Sequence, residues 1–446
     1  MSEPMGTNGP GMRLHTKILI GLAAGGVAGA AANLTLGPDH PLIAAVNEYL
    51  AVPVGQVFLR MLFMVVMPLV FASIALGVAG LGDLRRVGRV GGRAVGYFIV
   101  TTILAATLGL IVANVARPWE HVRPETRTAL MERFATDASA RVDAAETTAR
   151  FGPETFVNIV PRNPIDAAAR TDMLGVIFFG LMFGAALTRI PAERARPMIA
   201  WLDALNEVVV RIIHFAMLFA PYGVAALIFA VASRFGMDLL VAVAAFVLTV
   251  LFALTLHVGV TLFGIIRFAI GMSPLTFLAR VRAALITAFS TSSSSATLPT
   301  NLDVSERQLG IPRHIAGFVL PIGSTMCMNG TAIFEGITVI FLAEIFGVDL
   351  TLPQMAIVMV MSVITAIGAA GVPGGSIPLL VGILTMFGVP GEGIAIVLGV
   401  DRILDMSRTT VNVLSDLTAT AWVARTEGVW TAESVPATET EAAQLS

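Results

Sequence analysis

Apolar residues in this chain gather in long runs separated by short basic or polar stretches. A helix needs about 20 apolar residues to cross the roughly 30 Å hydrocarbon layer of a bilayer. Such runs lie near residues 17–36, 53–80, 94–116, 173–188, 208–232, 239–266, 315–346 and 394–424. The 173–188 run is short, so its helix is expected to begin near residue 155, with breaks at Pro161 and Pro164. Two more apolar regions, 283–300 and 354–388, are interrupted by Ser, Gly and Pro. The 118–170 stretch is polar and of mixed charge, and reads as an extracellular loop leading into the broken start of the fourth span.

Basic residues orient these spans, because cytoplasmic loops carry the excess of Lys and Arg. Arg13 and Lys17 precede the first span, Arg85, Arg86, Arg89 and Arg93 separate the second from the third, and Arg189, Arg194 and Arg196 follow the fourth. Arg267, Arg280 and Arg282 follow the sixth. Counted from an inside N-terminus, all four clusters fall on the cytoplasmic side. Region 283–300 is followed by Arg307 and Arg313, again basic. A full crossing there would put basic loops on opposite sides, whereas a re-entrant hairpin keeps both inside. Region 354–388 is too long for one span, breaks at Gly371 to Gly375, and reads as a second hairpin from outside. Non-helical backbone at membrane depth is tolerated only inside protein or beside a water-filled cavity. Opposed hairpins therefore point to a transport site near the midplane; two ordinary kinked spans are the alternative.

Composition agrees with a bilayer. Apolar residues make up 56% of the 446 and charged residues 13%, with a mean hydropathy of +0.83. That is too little charge to cover a soluble protein of this size. The net charge of −2 argues against a nucleic-acid partner. A single cysteine, Cys327, excludes a disulfide framework or a cysteine metal cluster. No cleaved signal peptide and no cofactor are expected.

The last span carries the strongest chemical signal. Asp401, Asp405, Arg408, Thr409, Asn412 and Asp416 fall within a stripe of roughly 100° on a helix. Charges at this depth are costly, face the protein interior and are functional by default. An arginine offers a fork matched to a carboxylate, and Asp405, one turn away, can take an ammonium. A structural ion-pair network between helices is the competing reading. The run Ser290 to Thr300 (STSSSSATLPT) at the first hairpin's tip can turn N–H groups and hydroxyls toward an anion. Serine runs are more often linkers, but this one lies inside an apolar region flanked by arginines. Met326 to Thr331 (MCMNGT) interrupts another span, and Gly330–Thr331 suggests an unwound turn there. Glu335, one turn on, is an isolated carboxylate at membrane depth, a natural proton carrier unless a neighbouring arginine pairs with it. GxSxG is absent, and only His314 lies near the serine tip, so a hydrolase is not supported.

With these residues assembled, the chain resembles the dicarboxylate/amino acid:cation symporters, the glutamate transporters and their bacterial or archaeal relatives. The likeness runs from MPLVFAS (Met67 to Ser73) through the serine tip and GVPG to DRILDMSRTTVNVLSD (Asp401 to Asp416), in the family's order. It implies an all-α integral membrane protein of eight transmembrane helices and two opposed re-entrant hairpins, the elevator fold, assembled as a homotrimer. The expected organisation is an N-terminal tail (1–16), scaffold spans one and two (17–93), transport-domain span three (94–117) and an extracellular loop (118–154). Scaffold spans four and five (155–235), the rest of the transport domain (236–426) and a C-terminal tail (427–446) follow. Both termini would be cytoplasmic, in the cell's inner (plasma) membrane.

By resemblance, Asp405 matches the amino-group ligand, Arg408 the ligand of the side-chain carboxylate, and Asn412 that of the α-carboxylate. Thr409 lines the same pocket. Ser294 and Thr331 match contacts from the first hairpin and seventh span, Val372 and Ser376 those from the second hairpin. With Ser292, Ser293 and Gly375 these complete the expected substrate site. C4-dicarboxylate members lack the acidic residue at Asp405 and neutral amino-acid members lack the arginine, so holding both implies aspartate or glutamate. The expected coupling residues are Glu335, Asp416, Gly323, Thr325, Cys327, Asn329 and Asp401. Three departures matter. The family's seventh-span aspartate is Asn329 here, its third-span tyrosine is Phe98 (Thr101 and Thr102 remain), and the arginine often found at the serine tip is Ser292. Hard cations need oxygen donors and charge, so the sodium site at Asn329 is expected to be lost, while Asp416 with Asn412 still offers one. Glu335 matches the proton-carrying glutamate of the animal transporters. The sequence thus implies a secondary active importer of acidic amino acids, coupled to protons. A sodium-coupled version, a C4-dicarboxylate symporter and an ion channel are the alternatives.

Overall fold

The computed structural model describes residues 14–38, 40–123, 128, 160–170, 172–368, 371 and 373–432. Most of the N-terminal tail, most of the 118–154 loop, the tail beyond 432 and Val372 lie outside the described residues. The described elements are all helical. The first are α1 (Leu14–Leu36), α2 (Pro41–Val46), α3 (Val52–Phe63), α4 (Val66–Val87) and α5 (Arg89–Ala116). Then come α6 (Pro164–Ala169), α7 (Met173–Leu187) and α8 (Ala192–His257), which breaks at Gly236, where φ is 68°. The C-terminal part holds α9 (Pro274–Thr291), α10 (Ser294–Asp303), α11 (Arg313–Met326) and α12 (Asn329–Ile345). The last three are α13 (Leu352–Gly368), α14 (Ile377–Met386) and α15 (Ala395–Thr426).

Local chemistry sets several starts. Proline stands in the first turn of α2, α6, α9 and α14, where its missing N–H costs nothing and its φ suits the helix. Asn163 caps α6, accepting from the Ile165 N–H at 3.0 Å.

Among the described residues six segments are long and apolar enough to cross a membrane: Thr16–Leu36, Pro41–Leu76, Arg89–His121, Ala192–Arg234, Leu240–Ile270 and Arg313–Ile345. The protein is a multi-pass membrane protein. Two expected spans differ from that set for physical reasons. The fourth has only the short apolar stretch Gly175–Leu187. The last, α15, is 32 residues long but carries the charged stripe.

α1 lies along α8, α4 against α7, and α5 against α12. α15 is the hub of the C-terminal half and packs on α8, α9, α11 and α12. α9 and α10 fold back on each other at Ser292, which takes a left-handed φ of 51°. α13 and α14 form the second helix pair, joined by the turn ending at Ser376. The two tips meet at one carbonyl: Gly371 O accepts from Ser293 Oγ (2.6 Å) and from the Ser295 N–H (3.2 Å).

Two sequence expectations shift. The first hairpin was expected over 283–300, but its first arm starts at Pro274, because Arg280 and Arg282 ride on a helix rather than in a loop. The break in the seventh span falls at Cys327 and Met328, before Gly330–Thr331, which are already in α12. The first N–H groups of a helix have no partner within it, and here the Gly330 N–H finds one in Asn412 Oδ1 at 2.8 Å.

Candidate functional site

α15 buries Asp401, Asp405, Arg408, Thr409, Asn412, Ser415 and Asp416. Arg408, 1% exposed, is the centre. Its Nη2 donates to Asp401 Oδ1 and Asp405 Oδ1, each at 3.0 Å, and its guanidinium carbon lies 3.8 Å from the Phe334 ring centre of α12. Nη1 is buried without a partner among the described residues. Asp405 Oδ2 accepts from the Gly374 N–H of the second helix pair at 3.2 Å, and Arg402 Nη1 stands 3.9 Å away. Arg402 is a second buried arginine on this helix, outside the predicted set. Its neighbour Asp401 was the signal, since adjacent helix positions diverge by only about 100° and a long side chain spans that arc.

Asn412 ties α15 to the break before α12. Its Oδ1 accepts from Gly330, and its Nδ2 lies 3.2 Å from Thr331 Oγ and 3.1 Å from Met328 Sδ. Gly330 makes this approach possible: a Cβ there would sit 2.6 Å from Arg408 O and 2.9 Å from Arg408 Cα. Gly330→Ala must therefore push the two helices apart, and should cost about 1–3 kcal/mol as overpacking does. Thermal unfolding of the purified variant checks this; an unchanged melting temperature would show that the contact yields.

The other predicted residues fall into three groups. Ser292, Ser293 and Ser294 are buried at the first tip, with Ser292 Oγ lacking a partner among the described residues, and Gly375 and Ser376 are buried at the second. Val372 is outside the described residues. Asp416 is 1% exposed, its carboxylate has no nitrogen or oxygen partner among the described residues and stands against the Cys327 thiol, and Gly323 lies so close that its Cβ would be 2.6 Å from Oδ1. Cys327 is buried beside them, whereas the side chain of Thr325 bonds back to Ile322 O on an exposed position.

Asn329 forms the third group. Its Oδ1 accepts from Thr102 Oγ at 2.9 Å and Thr101 Oγ at 3.4 Å, while Nδ2 donates to Ser415 Oγ at 2.7 Å and faces His257 Nε2 at 3.3 Å. Four uncharged groups thus lie within hydrogen-bond reach of the amide, the two threonine hydroxyls being shared with Tyr97 O and Phe98 O of their own helix. His257 and Ser415 were not predicted. His257 ends α8 without a local pattern, 72 positions from Asn329. Glu335 is fully buried; its Oε2 lies 2.8 Å from Thr365 Oγ of α13, and Oε1 has no partner.

Comparison with known proteins bears on the family of the chain. The sodium:dicarboxylate symporter family matches residues 14–426. The chain is 34% identical over 421 residues to the proton/sodium-glutamate symport protein of Bacillus caldotenax, covering 94% of this chain and 96% of that one. It is 34% identical to the proton/glutamate-aspartate symporter of Escherichia coli (strain K12), over 84% and 85% of the two chains. It is 33% identical to the C4-dicarboxylate transport protein of Bacillus subtilis (strain 168), over 87% and 90%. These relatives are transporters, not enzymes. With its family match spanning nearly every described residue, this chain belongs to the sodium:dicarboxylate symporter family.

Proposed function

We propose that the protein is a secondary active symporter that imports aspartate or glutamate across the cell's inner membrane, driven by protons. One observation carries this reading: a buried arginine with two carboxylates on one helix, beside an interrupted span and two meeting helix tips. Arg408 suits a side-chain carboxylate, and Asp405 suits an ammonium. The three relatives act on glutamate, aspartate and C4-dicarboxylates by name, which supports a small dicarboxylate-like substrate. The eight spans, the re-entrant hairpins and cytoplasmic termini belong to the same proposal. So does an elevator mechanism, in which residues 94–117 and 236–426 move against a trimeric scaffold of 17–93 and 155–235.

Proton coupling is supported at two places. Asn329 satisfies itself without an ion, so nothing at that position calls for sodium. Thr365 has one hydroxyl proton, yet its Oγ is 2.7 Å from Met361 O and 2.8 Å from Glu335 Oε2. That hydroxyl can donate to Glu335 or accept from it, but a charged Glu335 would leave a buried carboxylate with Oε1 unpartnered among the described residues, which favours the protonated form. Glu335 is then the loaded proton carrier. A second reading, residual sodium coupling, is favoured by the buried carboxylate of Asp416, which the Cys327 thiol faces and which has no oxygen or nitrogen partner among the described residues, leaving room for a cation or a proton.

Uptake of radiolabelled aspartate into proteoliposomes tests the proposal. Accumulation is expected under an inward proton gradient without sodium; no concentrative uptake under either gradient would overturn it. Amino acids should also be separated from plain dicarboxylates. Succinate lacks the ammonium that Asp405 would hold, so it should compete poorly with aspartate, and Asp405→Ser should weaken aspartate by about 10–100-fold while affecting succinate far less. Equal competition by succinate in the unmutated protein would make the C4-dicarboxylate reading the better one.

A further inference from the structure

One guanidinium nitrogen of Arg408 serves two carboxylates, Asp401 and Asp405. The formal charges cancel, with Arg402 and Arg408 set against Asp401 and Asp405. Glu335, buried with Oε1 unpartnered among the described residues, adds none in its protonated form. An acidic amino acid brings two carboxylates and one ammonium, a surplus of one negative charge. An uncompensated buried charge is strongly disfavoured, so binding must be accompanied by one positive charge.

The two aspartates are not equivalent places for it. Asp405 must stay ionised to hold the ammonium, and it keeps the Gly374 N–H and Arg402 as partners on Oδ2. Asp401 holds one hydrogen bond among the described residues, the one from Arg408. The charged groups facing Asp401 are Arg402, Asp405 and Arg408 of its own helix, with Glu335 of α12 beyond Arg408. At Gly399 the neighbouring faces of α1 and α8 present Leu22, Val224 and Ile228, which are apolar. α14 carries no titratable side chain (IPLLVGILTM).

We propose that Asp401 is a resident counter-anion: the substrate's side-chain carboxylate takes its place on Arg408, and Asp401 binds a proton as it is released. The carboxylate–guanidinium hydrogen bond is exchanged for an equivalent one, the proton comes from water, and the pocket returns to zero net charge. The number of protons then depends on the substrate class. A neutral amino acid brings no surplus charge and needs none, an acidic one needs one, and a plain dicarboxylate, with no ammonium, needs two. This inference rests on the acidic amino-acid reading of the pocket, and makes substrate binding itself the proton-loading step at α15.

The test uses full-length purified protein carrying Glu335→Gln, which removes the other titratable group near Arg408. L-aspartate is added in weakly buffered solution with a pH dye, and affinity is measured by calorimetry at several pH values. Between the titration range of Asp401 in the free pocket and its higher range in the complex, one proton should be taken up per aspartate bound and the Kd should fall about tenfold for each unit decrease in pH. Infrared difference spectra should show a new protonated-carboxyl band on aspartate addition. Adding Asp401→Asn should abolish the uptake, the band and the pH slope. Loss of proton uptake in Glu335→Gln alone, or its persistence in the double variant, would overturn the proposal. Should the double variant fail to fold, the uptake and the band in Glu335→Gln still decide, and Asp401→Glu should keep the uptake while shifting the band. Failure of the unmutated protein to bind aspartate at any pH would instead refute the functional reading beneath it.

Discussion

Arg408→Cys is expected to abolish binding of aspartate and glutamate while leaving a folded transporter able to admit small neutral amino acids. Removing one partner of a buried ion pair costs about 3–5 kcal/mol, or roughly a hundred- to several-thousand-fold in Kd. The loss here has two parts. The substrate's side-chain carboxylate loses its only planar fork, because Arg402 stands 3.9 Å from Asp405 and makes no hydrogen bond to it. Asp401 and Asp405 also lose the Nη2 that both share at 3.0 Å, so the empty pocket becomes acidic and repels a second anion. A neutral amino acid still finds Asp405 for its ammonium and the Asn412 region for its carboxylate. Calorimetry with aspartate and serine, on variant protein that elutes as the unmutated one does, separates these outcomes. Unchanged aspartate affinity would remove Arg408 from the site.

What was legible in the sequence was what a bilayer makes expensive. Charges on α15, serines at the turn between α9 and α10, and glycines before α14 are conspicuous because their surroundings are apolar, and the structure brings them around one helix. Side chains whose role is set by distant partners were not legible. His257, Ser415 and Thr365 look like ordinary polar residues in apolar helices until folding sets the first two beside Asn329 and the third beside Glu335. Arg402 was hidden because helical periodicity assigned it to the next face, although a buried side chain of that length bends back to Asp405. The break at Cys327–Met328 was placed slightly late, because the glycine that marks it serves close packing against Arg408 rather than the turn itself.

On the proposed proton-driven reading, the driving force depends on Asn329 and Glu335 together. Around Asn329, two threonine hydroxyls, Ser415 and His257 complete a neutral set of hydrogen bonds. Removing sodium should therefore change aspartate affinity less than about threefold, since no charge is left unpaired there. Asn329→Asp replaces that set by a buried carboxylate, which costs several kcal/mol unless a cation accompanies it. The variant should bind aspartate weakly without sodium and recover as sodium is added. Glu335 acts at the other end of the cycle. Buried, with Oε1 unpartnered and Oε2 against Thr365, it must carry a proton whenever the Thr365 hydroxyl serves Met361. The sign follows: a group that must be protonated for import favours import at low external pH and releases its proton to a more alkaline interior. Glu335→Gln imitates the loaded form permanently. Aspartate binding at acid pH should stay within about threefold of the unmutated protein, because the amide keeps the Thr365 contact. Aspartate/aspartate exchange should persist, while accumulation driven by a proton gradient should fall to what the proton taken up at Asp401 alone supports. Proteoliposome uptake, with the proton and sodium gradients imposed separately, reads both variants. Sodium-driven accumulation that survives in Glu335→Gln, together with steep sodium dependence in the unmutated protein, would move the coupling site to Asp416.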